Sequence, residues 1–162
     1  MRIELLKPIS IKMVCAVLVL GTMNPLASAA GAPGLTVARA GVQETLDRVN
    51  ALLKKNASAQ LIADAMYEDD LMITGEGEKG LYRDLKSFMG QLAEYVKDGA
   101  RCDLKVVDPI RASGDLAVAF IFEHCAAAKA GEKDDDARIL YVFRKGAHGY
   151  RVTMEMFGWG TY

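Results

Sequence analysis

From Cys102 onward the apolar residues fall into four successive runs with a period of two: "CDLKVV" (102–107), "LAVAFIFEHC" (116–125), "ARILYVFRK" (137–145) and "YRVTMEMFGW" (150–159). Successive side chains of a strand point to opposite faces, so this period demands a sheet. The links are short and rich in turn formers: "RASGD" (111–115), the acidic "AGEKDDD" (130–136) and "GAHG" (146–149). Short links join antiparallel neighbours, which makes the four runs a meander. The second run is apolar on both faces and reads as a strand covered on both sides.

Before Cys102 the period changes to that of a helix. Val42, Leu46, Val49 and Leu53 mark a first helix. Asn56 and Ser58 are candidate caps for a second, "AQLIADAMYEDD" (59–70), and "LMIT" (71–74) is a short strand. After the turn "GEGEKG", residues Leu81, Leu85, Phe88, Met89, Leu92 and Val96 mark a third helix closed by Gly99. Three helices ahead of a meander mean an α+β fold, with the helices packed on one face of a curved antiparallel sheet. Residues 30–41, "AGAPGLTVARAG", read as a flexible lead-in, and residues 42–162 as one domain.

The first 29 residues are expected to be a cleaved signal peptide. Arg2, Lys7 and Lys12 precede the apolar "MVCAVLVLGTM", and Ala27 and Ala29 supply a small-residue exit that places cleavage after Ala29. The apolar run is shorter than the ~20 residues that span a bilayer. Export to the periplasm or beyond follows, with no membrane contact after cleavage. Removal of residues 1–29 leaves 17 basic against 20 acidic residues, no electrostatic footprint for a nucleic acid.

Two cysteines remain, and in an oxidising compartment an even count points to a disulfide. With Ser113 and Gly114 at the centre of the "ASGD" turn, Ala112 pairs with Asp115. Counting outward brings Cys102 opposite Cys125. Directly opposed Cα atoms lie ~4.5–5.5 Å apart, within disulfide reach. Pro109, or a bulge beside it, is the feature that could slip this register by one residue.

Other chemistry-bearing patterns are sparse. Glu123, His124 and Cys125 are consecutive, so alternation divides them between two faces and denies them one metal. His148 lies in a glycine-rich turn without a spaced partner, and "EKDDD" lacks the spacing and glycine of a calcium loop. Neither a CxxC, an HExxH nor a phosphate loop is present, so no metal and no cofactor is expected.

The chain resembles the nuclear transport factor 2-like superfamily, particularly its SnoaL-like and ketosteroid-isomerase-like bacterial members. The likeness rests on "MYEDDLMIT" (66–74), "KG" before the third helix, "SGDLAVAF" (113–120) and the basic hairpin "VFRKGAHGYRV" (142–152), and spans Val42 to Trp159. It implies a cone-shaped α+β barrel with an apolar pocket, often in a dimer. Such folds host isomerases, dehydratases, cyclases and epoxide hydrolases as well as binding modules, so residues must decide the function. By the resemblance, the steroid isomerases' first phenol falls on Ala51, their base on Gly75 and their second oxyanion donor on Tyr141. Only Tyr141 can donate a hydrogen bond. The late-strand His of many relatives falls in Met154-Glu155-Met156, and that base is absent as well.

The leading reading is therefore a binding module for a small hydrophobic molecule. Its pocket is expected to be lined by Phe88, Phe120, Phe122, Tyr141, Met154, Met156 and Trp159. The sequence leaves open which strand faces look inward. A second reading is a cofactor-independent isomerase, dehydratase or hydrolase acting through Asp70, Tyr67 or Tyr141. A third is a dimerisation module joined through the outer face of the sheet. An inward, desolvated Asp70 in a roomy cavity would favour the enzyme, and a cavity without an ionisable group the binding module.

Overall fold

Helix α1 spans Pro33–Lys54 in a computed structural model that describes residues 33–78, 80–97, 101–127, 131 and 133–162. Residues 1–29, with the expected leader and cleavage point, lie outside the described residues, as do residues 30–32, Lys79 and Gly99. The lead-in expected over 30–41 is helical from Pro33. Proline is favoured in the first turn of a helix, where its missing N–H has no partner to lose. The stripe of Val42, Leu46, Val49 and Leu53 extends back to Ala38, and all five are buried. Asn56 stops the helix with a left-handed φ of 51°, and Ser58 caps helix α2 (Ala59–Met66) by accepting from the Leu61 N–H at 3.4 Å.

Helix α2 ends four residues earlier than its apolar pattern suggests. Tyr67 already belongs to strand β1 (Tyr67–Gly75), so Asp69 and Asp70 sit on a strand and not at a helix terminus. The alternation of Leu71 and Ile73, both fully buried, with Asp70 and Met72 takes over here. Helix α3 (Leu85–Lys97) follows. The remaining strands are β2 (Arg101–Val106), β3 (Arg111–Ser113), β4 (Leu116–Ala126), β5 (Asp135–Gly146) and β6 (Gly149–Trp159).

The sheet runs β1-β6-β5-β4-β2, with β3 also paired to β4. It is mixed and not wholly antiparallel, because β1 lies parallel to β6. Helix α3 and four strands separate the two in the chain, so no hairpin dictates their direction. The helices cover one face. Phe143, Leu46, Leu71, Ile73, Ile121 and Val152 form the centre of the core between them and the sheet.

Two irregularities set which side chains face that core. The β3–β4 hairpin turns on Gly114 and Asp115, with Ser113 paired to Leu116. The first central position has a positive φ (62° at Gly114), which glycine adopts freely, so the turn sits one residue later than the sequence suggests. Between Val106↔Ile121 and Arg111↔Val118, four residues of the first strand oppose two of β4. This insertion around Pro109 returns the register, and Cys102 pairs with Cys125 as a disulfide. The second irregularity is in β6. Val142 pairs with Met154 but Phe143 with Val152, which leaves Thr153 as an extra residue. Tyr150 and Val152 face the core; past the bulge the phase reverses, and Glu155 faces it.

Candidate functional site

Helices and sheet do not meet everywhere. A cavity of about 110 Å³ lies between them, walled by Leu53, Ile62 and Met66 of α1 and α2, Phe88 and Leu92 of α3, and Ile139 of β5. Its inner polar groups come from five elements, Tyr67 of β1, Tyr95 of α3, Glu123 of β4, Tyr141 of β5 and Glu155 of β6, and Glu78 and Gln91 complete the polar lining. Phe157 and the half-exposed Trp159 pack edge to face at the rim, 5.7 Å between ring centres.

The polar groups form two acid–phenol pairs. The Tyr67 hydroxyl donates to Glu155 Oε2 at 2.8 Å. That of Tyr95 donates to Glu123 Oε1 at 2.6 Å and lies 3.6 Å from Cys125 Sγ. Tyr67 is held in place by Phe88, ring to ring at 5.6 Å. Tyr141 is buried beside the first pair, its ring edge-on to Phe143, and among the described residues its hydroxyl has no hydrogen-bond partner.

Burial decides the charge of these groups. Loss of solvent raises the Glu155 carboxyl to about 8; the hydrogen bond from Tyr67 opposes the rise and the nearby Glu123 adds to it. Glu123 is also raised by burial, against the stabilising bond from Tyr95. Burial, then Glu155, pushes Tyr67 and Tyr141 well above the ordinary phenol range, so both stay neutral at physiological pH. A carboxyl titrating near 8 among neutral phenols is a group that can both donate and accept a proton.

Of the residues the sequence suggested, Phe88, Tyr141, Trp159 and Tyr67 line this cavity. Phe120, Met154 and Met156 do not: they lie on the outer face of the sheet, 39%, 38% and 52% exposed. Phe122 shares that outer face, half-buried. On β4 the inward positions are Ala117, Ala119 and Ile121, one residue out of phase with the phenylalanines; on β6 the Thr153 bulge turns the methionines out. Asp70 is exposed and pairs with Arg144 Nη1 at 3.1 Å, so it supplies no desolvated base. Ala51 is exposed on the outer side of α1, and Gly75 is closed off by Phe157, whose ring would lie 2.5 Å from an added Cβ. Cys102, Cys125 and Glu123 bring three ligand atoms within 4.8 Å of one another, but the two sulfurs are bonded to each other.

Glu155, Glu123 and Tyr95 were not among the expected site residues. For two of them a signal exists. Glu123 lies two residues before Cys125, and so on the face that the disulfide turns inward. Tyr95 stands seven residues after Phe88, on the same helical stripe. Nothing in the sequence announces the bulge that turns Glu155 inward.

Comparison with known proteins adds the fold. No family model matches the chain, and no curated protein matches its sequence. Solved structures do. A nuclear transport factor 2-like protein with a cystatin-like fold from Novosphingobium aromaticivorans superposes with a TM-score of 0.62 at 16% identity, over 85% of this chain and 91% of that one. The chain has the nuclear transport factor 2-like fold. A nuclear transport factor 2-like protein of unknown function from Pseudomonas putida KT2440 gives 0.63 at 15% identity over 76% and 87%. A superfamily protein from Salmonella enterica serovar Typhimurium LT2 gives 0.59 at 17% over 78% and 93%. At these identities the likeness extends to the fold alone.

Proposed function

We propose that this nuclear transport factor 2-like domain is a SnoaL-like binding module for a small, largely apolar organic molecule, taken into the chamber between helices and sheet. The observation that carries this reading is the chamber itself: apolar walls, aromatic Phe157 and Trp159, and a lining that includes the Tyr67–Glu155 pair and Tyr141. An apolar cavity with a few convergent polar groups is the usual form of a ligand site. At about 110 Å³ the chamber is smaller than the ~150 Å³ apolar cavity that holds benzene, which restricts the guest to a compact molecule. Native mass spectrometry of the purified protein tests it. A retained small molecule should be present in wild type and lost from A137L, because Ala137 is buried in the chamber wall and a leucine fills the space. Empty protein in every preparation from the native host would sink the reading.

A second reading is favoured by one observation, the buried Glu155 with its carboxyl near 8. It gives the chamber the means to move a proton without a cofactor, as an isomerase or dehydratase must. Glu155 takes the place that the sequence offered to Asp70.

The setting we propose is extracytoplasmic. The leader-like residues 1–29 and the Cys102–Cys125 disulfide support export. Among the described residues no helix is long and apolar enough to cross a membrane. The exposed stripe of Phe120, Met154 and Met156 supports a homodimer joined through the sheet.

A further inference from the structure

The chamber is acidic without being basic. Glu78, Glu123 and Glu155 line it, and among the described residues no lysine, arginine or histidine does. An anionic guest would meet carboxyl groups and no counter-charge. The hydrogen-bonding capacity points the same way. Each inner carboxyl has one oxygen engaged by a phenol, Glu155 Oε2 by Tyr67 and Glu123 Oε1 by Tyr95. That leaves the second oxygen of each, once the carboxyl is ionised, as an acceptor, together with the hydroxyl oxygen of Tyr141 in the chamber lining. An ammonium group carries three donors and no acceptor. The walls add Tyr67, Phe88, Tyr141, Phe157 and Trp159, rings whose faces attract a cation in a desolvated setting.

We propose that the ligand of this chamber is a compact organic ammonium ion, its charged head held by Glu155 and the Tyr141 oxygen and its hydrocarbon frame packed on the aromatic walls. The inference rests on the chamber being a ligand site and names the chemical class of the guest. It carries a pH signature. Glu155 is largely neutral at pH 7, so an ammonium must displace its proton, and binding strengthens as pH rises toward 8. The groups facing Glu155 are Tyr67 from β1, Tyr141 from β5, Glu123 from β4 and Tyr95 from α3. The side chains that α1 and α2 turn to the chamber, Val49, Leu53, Ile62 and Met66, are apolar. All three phenols stay neutral across this range, which leaves the carboxyls as the titrating groups. A carbonyl or hydroxyl guest would show the opposite or no trend, since it is best served by the protonated acid.

Three probes share one carbon frame and separate the cases: cyclopentylamine, cyclopentanol and cyclopentanone, each titrated calorimetrically from pH 6 to 9. The amine should tighten by up to about tenfold per pH unit below 8 and level off above it, while the two neutral probes gain nothing. E155Q should abolish that slope and weaken the amine at pH 8.5 by about tenfold or more, while cyclopentanol, which needs no charge at this position, does not weaken. If E155Q does not fold, Y141F serves: the amine should weaken while the wild-type slope persists. Neutral probes that bind as tightly as the amine at pH 8.5, and are lost in A137L, would overturn the ammonium assignment and leave the chamber standing. Failure of all three probes to bind would overturn both.

Discussion

The two faces of the sheet depart at several positions from a simple division into an apolar inside and a polar outside, although Phe143, Ile121 and Val152 keep the inner face largely apolar. The inner face, toward the helices, carries two carboxyls and three small residues: Glu123, Glu155, Ala117, Ala119 and Ala137. The outer face carries Phe120, Leu140, Met154 and Met156, which meet in cross-strand rows, Phe120 with Leu140 and Leu140 with Met156. Apolar character alone would put the second set inside. Strand phase decides otherwise, through the alternation of β4 and the Thr153 bulge of β6. Of the small inner residues Ala137 lines the chamber, beside Glu123 and Glu155. Departures from simple patterning of this kind gather at functional sites.

The difference between the faces should be largest in stability. Phe143 is fully buried on the inner face, and Phe143→Ala should cost about 3–5 kcal/mol in urea unfolding. Phe120→Ala on the outer face, already 39% exposed, should cost about 1 kcal/mol or less if the chain is monomeric. Equal losses would mean that the outer face is as much a core as the inner one.

The next effect belongs to the inner carboxyl. In the unfolded chain Glu155 titrates near its ordinary 4.5, and in the folded protein near 8, because burial penalises the charge. Between these values the folded state holds the extra proton. The stability this group contributes is therefore fully present below pH 4.5 and is lost as pH rises to 8, at up to about 1.4 kcal/mol per unit. Glu155→Gln keeps the shape and removes the titration. Its stability should vary less between pH 5 and 8 than that of wild type, and at pH 9 it should exceed wild type. Parallel pH profiles for the two proteins would show that Glu155 is not desolvated.

How much of this was readable beforehand differs between fold and site. The α+β class, three helices and the meander followed from period and turn residues alone. The parallel β1–β6 pair did not, because a strand separated from its partner by most of the domain leaves no local trace of direction. Cys102 and Cys125 were paired correctly from a turn placed one residue early. The late turn shifts the register by two, and the insertion around Pro109 shifts it back. Two local errors cancelled. In β6 there was one irregularity and no second to offset it, so the bulge at Thr153 exchanged Met154 and Met156 for Glu155. A one-residue slip changes every later side chain's face, which is why site residues are harder to read than elements.

The smallest effect sharpens the outer face. Met154 and Met156 are 38% and 52% exposed in the single chain, so exchanging both for glutamine removes little packing from it. The folding free energy of the monomer should change by about 0.5 kcal/mol or less per site, the scale of surface substitutions. Association should respond differently. If two chains meet through this stripe, the methionines lie at the centre of the contact, and flexible thioethers there are replaced by amides that keep their water. Sedimentation velocity should then show a wild-type dimer and a largely monomeric M154Q/M156Q at the same concentration. A wild-type monomer at every concentration tested would leave the stripe as ordinary surface, and the inner face as the only functional one among the described residues.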